Sequence, residues 1–276
     1  MKTKTVFAAS LLLAGAAFAD ATTVDSSYVL GVMPVKADGK SQVILSIPWV
    51  AEGGTNTIAV TNLVKTAGLT AGTEDDDKSG DTLTWYNTTT KKYQQWRVVS
   101  GGEDKPGYWT PVPAQDTTGS YATPAENATL LRGQAVVLTR KGTGAAALSN
   151  PIYVIGQVGT NATASTTISG NSWHLLAPPA ASTSDVDFNN CASDGSNWSS
   201  CVDDEVTIDG ANGLYKTYKC VDLGEGKKPR YVWTTSMFAT THAAMIPAGR
   251  GFWYKRNSDS SVTITWSGVP TTTASN

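Results

Sequence analysis

The feature that most restricts how this chain can fold is that its short apolar segments occur twice, in one order, about 125 residues apart. Tyr28-Val29-Leu30-Gly31 is answered by Tyr153-Val154-Ile155-Gly156. The run "ILSIPW" (residues 44–49) matches "HLLAPP" (174–179), each stopped by proline. "GDTLTWYNTTTKKYQQW" faces "DDEVTIDGANGLYKTY". In both, an acidic residue leads into alternating strand residues, then a polar turn and a Tyr-x-x-aromatic strand, Tyr93 to Trp96 and Tyr215 to Tyr218. "GYWT" (107–110) matches "YVWT" (231–234). "LLRGQAVVLTRK" aligns with "MIPAGRGFWYKRN", placing Gly133 opposite Gly249 and Arg140 opposite Arg256. One more strand follows each, "PIYVIGQV" or "SVTITWSGV".

Thr-, Val- and aromatic-rich runs punctuated by Gly, Pro and Asn read as short strands. The expected fold is therefore all-β: two homologous antiparallel β units, each a sandwich or small barrel of six to eight strands. Residues 20–158 form the first unit and 159–276 the second, joined by the polar stretch "GQVGTNATASTTISGN" (156–171). "YVIG" can close the first unit while opening the second, which favours one rigid body. One short helix is expected in the first unit, where "TIAVTNLVKTAGL" sets Ile58, Leu63, Val64 and Ala67 near one face before Gly68. In the second unit a cysteine loop takes its place.

Residues 1–19 read as a secretory signal peptide: Lys2 and Lys4, an apolar core, and Ala17-Phe18-Ala19 before Asp20. No later run is long and apolar enough for a spanning helix, and "GVPTTTASN" suggests no C-terminal anchor or outer-membrane barrel. With 21 basic against 23 acidic residues and no basic block, the chain is poorly suited to nucleic acid. Arg250-Gly251-Phe252-Trp253-Tyr254 echoes an RNA-stacking strand, yet it aligns with the aliphatic Val136-Val137-Leu138, which marks it as a packing strand. Phe252 and Tyr254 should share one face and Trp253 take the other.

The motif order resembles a group of secreted bacterial proteins with tandem β units of unassigned function. The matching elements are Ser46-Ile47-Pro48, Gly80-Asp81 and Gly249-Arg250-Gly251-Phe252-Trp253-Tyr254-Lys255. The first unit departs by lacking aromatics in its closing strand. The resemblance implies export and a β fold and supplies no catalytic residue.

Cys191 and Cys201 flank a Gly- and Ser-bearing loop and are expected to form a disulfide, leaving Cys220 as the odd thiol. His174 lies in an apolar run and His242 in a loop, and no G-x-S-x-G elbow occurs, so no catalytic residue is assigned. Paired carboxylates can hydrolyse glycosides. The clusters are Glu74-Asp75-Asp76-Asp77, Glu103-Asp104 and Asp203-Asp204-Glu205. Asp81 and the third cluster both lead into strands, which points to structural turns. Calcium is the one cofactor these loops could take, at Asp75, Asp76 and Asp77, although the EF-hand spacing is absent. Sugar rings stack on aromatic faces, which selects Trp198, Trp109, Trp233 and Tyr108 as candidate ligand contacts, with Trp198 braced by the disulfide.

The sequence thus leads to a secreted or cell-surface, non-enzymatic β protein with a structural or adhesive role, carbohydrate recognition being its concrete form. The alternatives are a glycoside hydrolase with a carboxylate pair and a self-assembling envelope component. The expected partners are a polysaccharide, another cell-surface component, or further copies of the chain.

Overall fold

In a computed structural model the described residues are 30–35, 41–50, 57–73, 79–87, 89–102, 107–113, 120–125, 128–141, 151–158, 164–179, 184–191, 195–209, 214–224, 229–239 and 241–267. Residues 1–19, read above as a signal peptide, Glu74-Asp75-Asp76-Asp77 and Glu103-Asp104 lie outside them. The strands in the first half are β1 (Leu30–Val35), β2 (Gln42–Ser46), β3 (Thr57–Ala59), β4 (Thr82–Asn87), β5 (Lys92–Val99), β6 (Tyr108–Pro111), β7 (Thr129–Leu131), β8 (Ala135–Thr139) and β9 (Ile152–Gln157). Those in the second are β10 (Ala164–Ile168), β11 (Trp173–Leu176), β12 (Val186–Asp187), β13 (Glu205–Asp209), β14 (Tyr215–Asp222), β15 (Tyr231–Thr234), β16 (Met245–Ile246), β17 (Phe252–Lys255) and β18 (Val262–Trp266).

Two five-stranded antiparallel sheets dominate, ordered β2-β8-β4-β5-β6 and β11-β17-β13-β14-β15. Each half adds two short pairs: β1 with β9 and β3 with β7, then β10 with β18 and β12 with β16. The two halves therefore have the same strand order. Leu138 lies between Val43 and Leu83, as Tyr254 lies between His174 and Val206. Val43 rather than Ile44 is thus the counterpart of His174, one residue off the motif alignment.

Three further expectations are corrected. The segment 164–168, read as part of a polar connector, is strand β10, with Ala164, Thr166 and Ile168 buried. Its alternation had been masked by threonine, which satisfies a half-buried strand as well as valine does. β9 is not shared: it pairs with β1, while β10 pairs with β18. The expected helix shrinks to α1 (Val60–Leu63). Thr57–Ala59 instead hydrogen-bonds β7, no side chain caps the helix at Ala59, and Val64 bridges Val154. Its counterpart is the cysteine segment, wound into 3-10 turns at Phe188–Asn190 and Gly195–Cys201.

Period-2 alternation sends one face of each sheet into a core built from its own half. The first core gathers Leu45, Leu83, Trp96, Leu138 and Val154, the second Phe188, Trp198, Trp233, Phe252 and Trp266. At one corner of each sheet a carboxylate is fully buried. Asp81 accepts from Arg140 Nε at 2.9 Å and from the Lys141 amide at 2.6 Å. Asp204 accepts from Arg256 at 2.5 Å, from the Asn257 amide at 2.8 Å and from the Tyr254 hydroxyl at 2.6 Å. The aspartate ties the start of the third strand in the sheet order to the end of the second.

The halves meet by exchanging glycine turns. The Ser46 amide donates to Gly249 O at 2.9 Å, and the Ala177 amide donates to Gly133 O at 3.0 Å. Isolated bridges join Leu45 with Arg250 and Gln134 with Leu176 in the same reciprocal sense. Both glycines have positive φ, 86° at Gly133 and 68° at Gly249. A Cβ on Gly133 would sit 2.3 Å from Thr166 Oγ1 and 2.4 Å from Trp266 Nε1, and one on Gly249 2.7 Å from Val35. Between the turns lies a third apolar cluster of Ile44, Ala135, Leu175 and Ala177, flanked by Val137 and Trp253.

Asp81→Ala or Asp204→Ala strands a buried guanidinium, and each should lower stability by about 3–5 kcal/mol, read as a shift in the urea midpoint. Gly133→Ala combines a strained φ with that overlap and should cost at least about 1–3 kcal/mol, while Gly68→Ala, at φ 79° with open space around it, isolates the strain alone.

Candidate functional site

The faces of the two sheets that point away from their cores carry Thr84, Tyr86, Tyr93, Gln95 and Val137 on one side, and Trp173, Thr207, Tyr215 and Trp253 on the other. These side chains line a cleft between the halves. One lobe, about 440 Å³, lies over the first sheet and is covered by Tyr215 and Trp253. The adjoining lobe, about 840 Å³, lies against Trp173, Thr207 and Trp253 and takes Tyr86 and Tyr93 from the opposite half. Tyr93, Tyr215 and Trp253 border both. Tyr93 and Tyr215 hold like positions, at the start of the fourth strand in each sheet order, so each half lends a tyrosine to the other's wall.

The aromatic array is ordered by backbone pairing. Tyr86 stands opposite Tyr93 across the β4–β5 ladder with ring centroids 5.0 Å apart, and Tyr121 continues the row at 5.5 Å. Tyr121 is held there because the Tyr93 amide donates to Ser120 O and the Ala122 amide to Tyr93 O. Burial, then the neighbouring Tyr86 and Tyr121, push the Tyr93 phenol above its ordinary value. Burial, then Asp209, do the same to Tyr215. Both hydroxyls therefore stay protonated and can donate. On the other wall Lys255 Nζ sits 5.7 Å from the centre of the Trp173 ring. The described lining includes Lys91 and Lys141 and no carboxylate.

None of the four candidates named from sequence lines the cleft, and three of them are corrected as core residues. Trp198, Trp109 and Trp233 are all buried, so they present no face to a ligand. Trp198 packs against Phe188 and Trp233 at centroid distances of 5.0 and 5.5 Å and donates to Asn189 O. Trp109 donates to Val64 O at 2.8 Å. Cores this small need large anchors, and the indole N–H of each of these two finds a backbone acceptor. Tyr108 is exposed on edge strand β6 but does not line the cleft. The residues that do line it were signalled only by position: Tyr93 and Tyr215 by their repeated motif, and Trp253 by the alternation that sends Phe252 and Tyr254 inward.

The expected Cys191–Cys201 disulfide is absent, and all three cysteines are buried thiols outside any disulfide. The 3-10 turns direct the thiols to separate neighbours. Cys191 Sγ points to Asp187 O at 3.5 Å, whereas Cys201 lies with Tyr254 and Asp204. Burial pushes the Cys191 and Cys220 thiols up to about 12, so neither supplies a thiolate nucleophile at neutral pH. Asp203, Asp204 and Glu205 do not converge on a cleft: Asp204 is the buried clasp, while Asp203 and Glu205 meet Lys219 and Lys255. The calcium candidates Asp75, Asp76 and Asp77 lie outside the described residues, and among those described no cluster of three or more His, Cys, Asp or Glu is placed to hold a metal. No helix among them is long and apolar enough to cross a membrane.

No protein-family model, curated protein or solved structure matches this chain.

His174 is buried in β11, within 2.7 Å of Ser172 Oγ, and burial lowers its pKa below the ordinary 6.5. The unfolded chain then binds a proton that the folded one refuses. Its stabilising contribution is complete above 6.5 and is lost as pH falls from there through the folded value. Thermal unfolding followed from pH 7.5 to 4.5 should show this decline, and His174→Asn should flatten it. Trp198→Ala should lower stability by about 3–5 kcal/mol, as a core truncation does.

Proposed function

We propose that this protein is an exported, non-enzymatic β protein with a structural or adhesive role at the cell surface, and that it binds carbohydrate in the cleft between its two sheets. The observation that carries the reading is the composition of that cleft. Tyr86, Tyr93, Tyr121, Trp173, Tyr215 and Trp253 converge on a space otherwise walled by Thr, Gln, Ser and Asn side chains, with Ile44, Val137, Lys91 and Lys141. Sugar rings present flat C–H faces edged by hydroxyls, and such a wall offers apolar faces beside hydrogen-bond partners. Lobes of about 440 and 840 Å³ are of the size that ligand sites take. Most of these side chains stand on paired strands, so little conformational freedom is lost on binding.

The hydrolase alternative needs two carboxylates facing one substrate. The described walls carry none, and the buried Asp81 and Asp204 are each held by an arginine.

The test incubates the protein with insoluble polysaccharides and assays both retention and released reducing ends. Retention without release is expected, falling at least about tenfold in Tyr215→Ala and in Trp173→Ala, whose rings are exposed and whose loss should leave unfolding unchanged. Sugar release would overturn the non-enzymatic reading. Absence of retention, with oligomers growing with concentration, would replace the reading with self-assembly.

A further inference from the structure

We infer that the ligand of this cleft is an acidic polysaccharide, one whose sugar rings carry carboxylate or sulfate groups. The inference rests on the carbohydrate reading above and concerns charge alone. Over the whole chain acidic residues outnumber basic ones, 23 to 21. The described cleft reverses this balance, with Lys91 in one lobe, Lys141 in the other and no carboxylate. Both lysines are exposed, and neither has a carboxylate partner among the described residues.

Acidic groups on the same sheet faces are answered by cations, while exposed Asp259, beside the larger lobe, accepts from the lining residue Asn171. Glu205 lies 3.7 Å from Lys255, and buried Asp209 lies 3.7 Å from Arg250. Asp81, which holds the Lys141 amide, is fully buried and spends its oxygens on that amide, Arg140 and the Thr70 amide. Among the described lining residues the unpaired charge is therefore positive in both lobes. A ligand lying across Tyr93, Tyr215 and Trp253 would stack on the shared aromatics and reach a lysine on either side. That arrangement fits a chain with repeated negative charges better than a compact anion.

Lys91 adds a second indication. It occupies the β4–β5 turn at φ 53°, a conformation that costs an ordinary side chain energy and suits asparagine or glycine. A lysine there is not explained by the turn itself, whereas a cation at the mouth of the cleft explains its presence.

The experiment measures affinity for soluble polygalacturonate, its fully methyl-esterified form and dextran sulfate, alongside neutral dextran, at two salt concentrations. Polygalacturonate or dextran sulfate should bind at least about tenfold more tightly than the esterified and neutral polymers, and the preference should shrink as salt rises. The preferred anion identifies carboxylate or sulfate. Lys91→Asn and Lys141→Gln should each weaken acidic binding about fivefold at low salt, with unfolding unchanged or, for Lys91→Asn, improved. Lys65→Gln, at an exposed lysine outside the cleft, should have no effect. Equal binding of charged and neutral polymers would overturn this inference and leave the carbohydrate reading standing. Binding of none would remove both, and an acidic preference untouched by the two lysine variants would move the anion site out of the cleft.

Discussion

The arrangement of this molecule depends on the exchange of two glycine turns. Each half offers the backbone carbonyl of a positive-φ glycine, Gly133 or Gly249, to an amide at the end of the edge strand of the other half. Hydrogen bonding at a strand end is short-range and directional, so it sets the relative position of the sheets more sharply than apolar contact alone. The absent Cβ atoms matter as much as the bonds. Trp266 and Thr166 occupy the space a side chain at 133 would fill, and Val35 that at 249. Because the turns lock the sheets at Ile44, Ala135, Leu175 and Ala177, the remaining outer faces can hold a cleft open between them.

Within each sheet the stabilising device is a buried aspartate–arginine clasp. Asp81 with Arg140 and Asp204 with Arg256 place the same chemistry at the same corner, down to the amide of the following residue donating to the second carboxylate oxygen. A buried ion pair contributes little net stability compared with apolar packing, but removing one partner is costly. Its use here is positional: it fixes where the closing strand ends, and hence where Lys141 meets the cleft. Half of this was legible in sequence, since Arg140 and Arg256 fell opposite one another and Asp81 had an acidic counterpart. That the two would pair could not be read, because they are 59 residues apart in one half and 52 in the other.

The aromatic residues show where local reasoning stops. Trp109, Trp198 and Trp233 stand beside the polar Thr110, Ser199 and Thr234 and were candidates for exposure, yet all three are core anchors. Flanking polarity reports only that a turn is near; it does not report what packs on top. By contrast, alternation correctly split Phe252 and Tyr254 from Trp253, since adjacent strand residues must face opposite ways. The side of the sheet that faces the cleft was therefore implicit in the pattern. What covered that side was not.

The sequence by itself determined the all-β character, the order of most strands, the glycine turns and the inward or outward sense of residues along the main strands. These follow from backbone sterics and period-2 geometry, which act between near neighbours. Only the tertiary structure decided that β10 is a strand of the second half, that the cysteines stay apart, and that Tyr86, Tyr93, Trp173, Tyr215 and Trp253 line one cleft. Those outcomes depend on which surfaces meet when two finished sheets dock. Docking is set by the summed shape of residues far apart in the chain, so no local pattern can carry it.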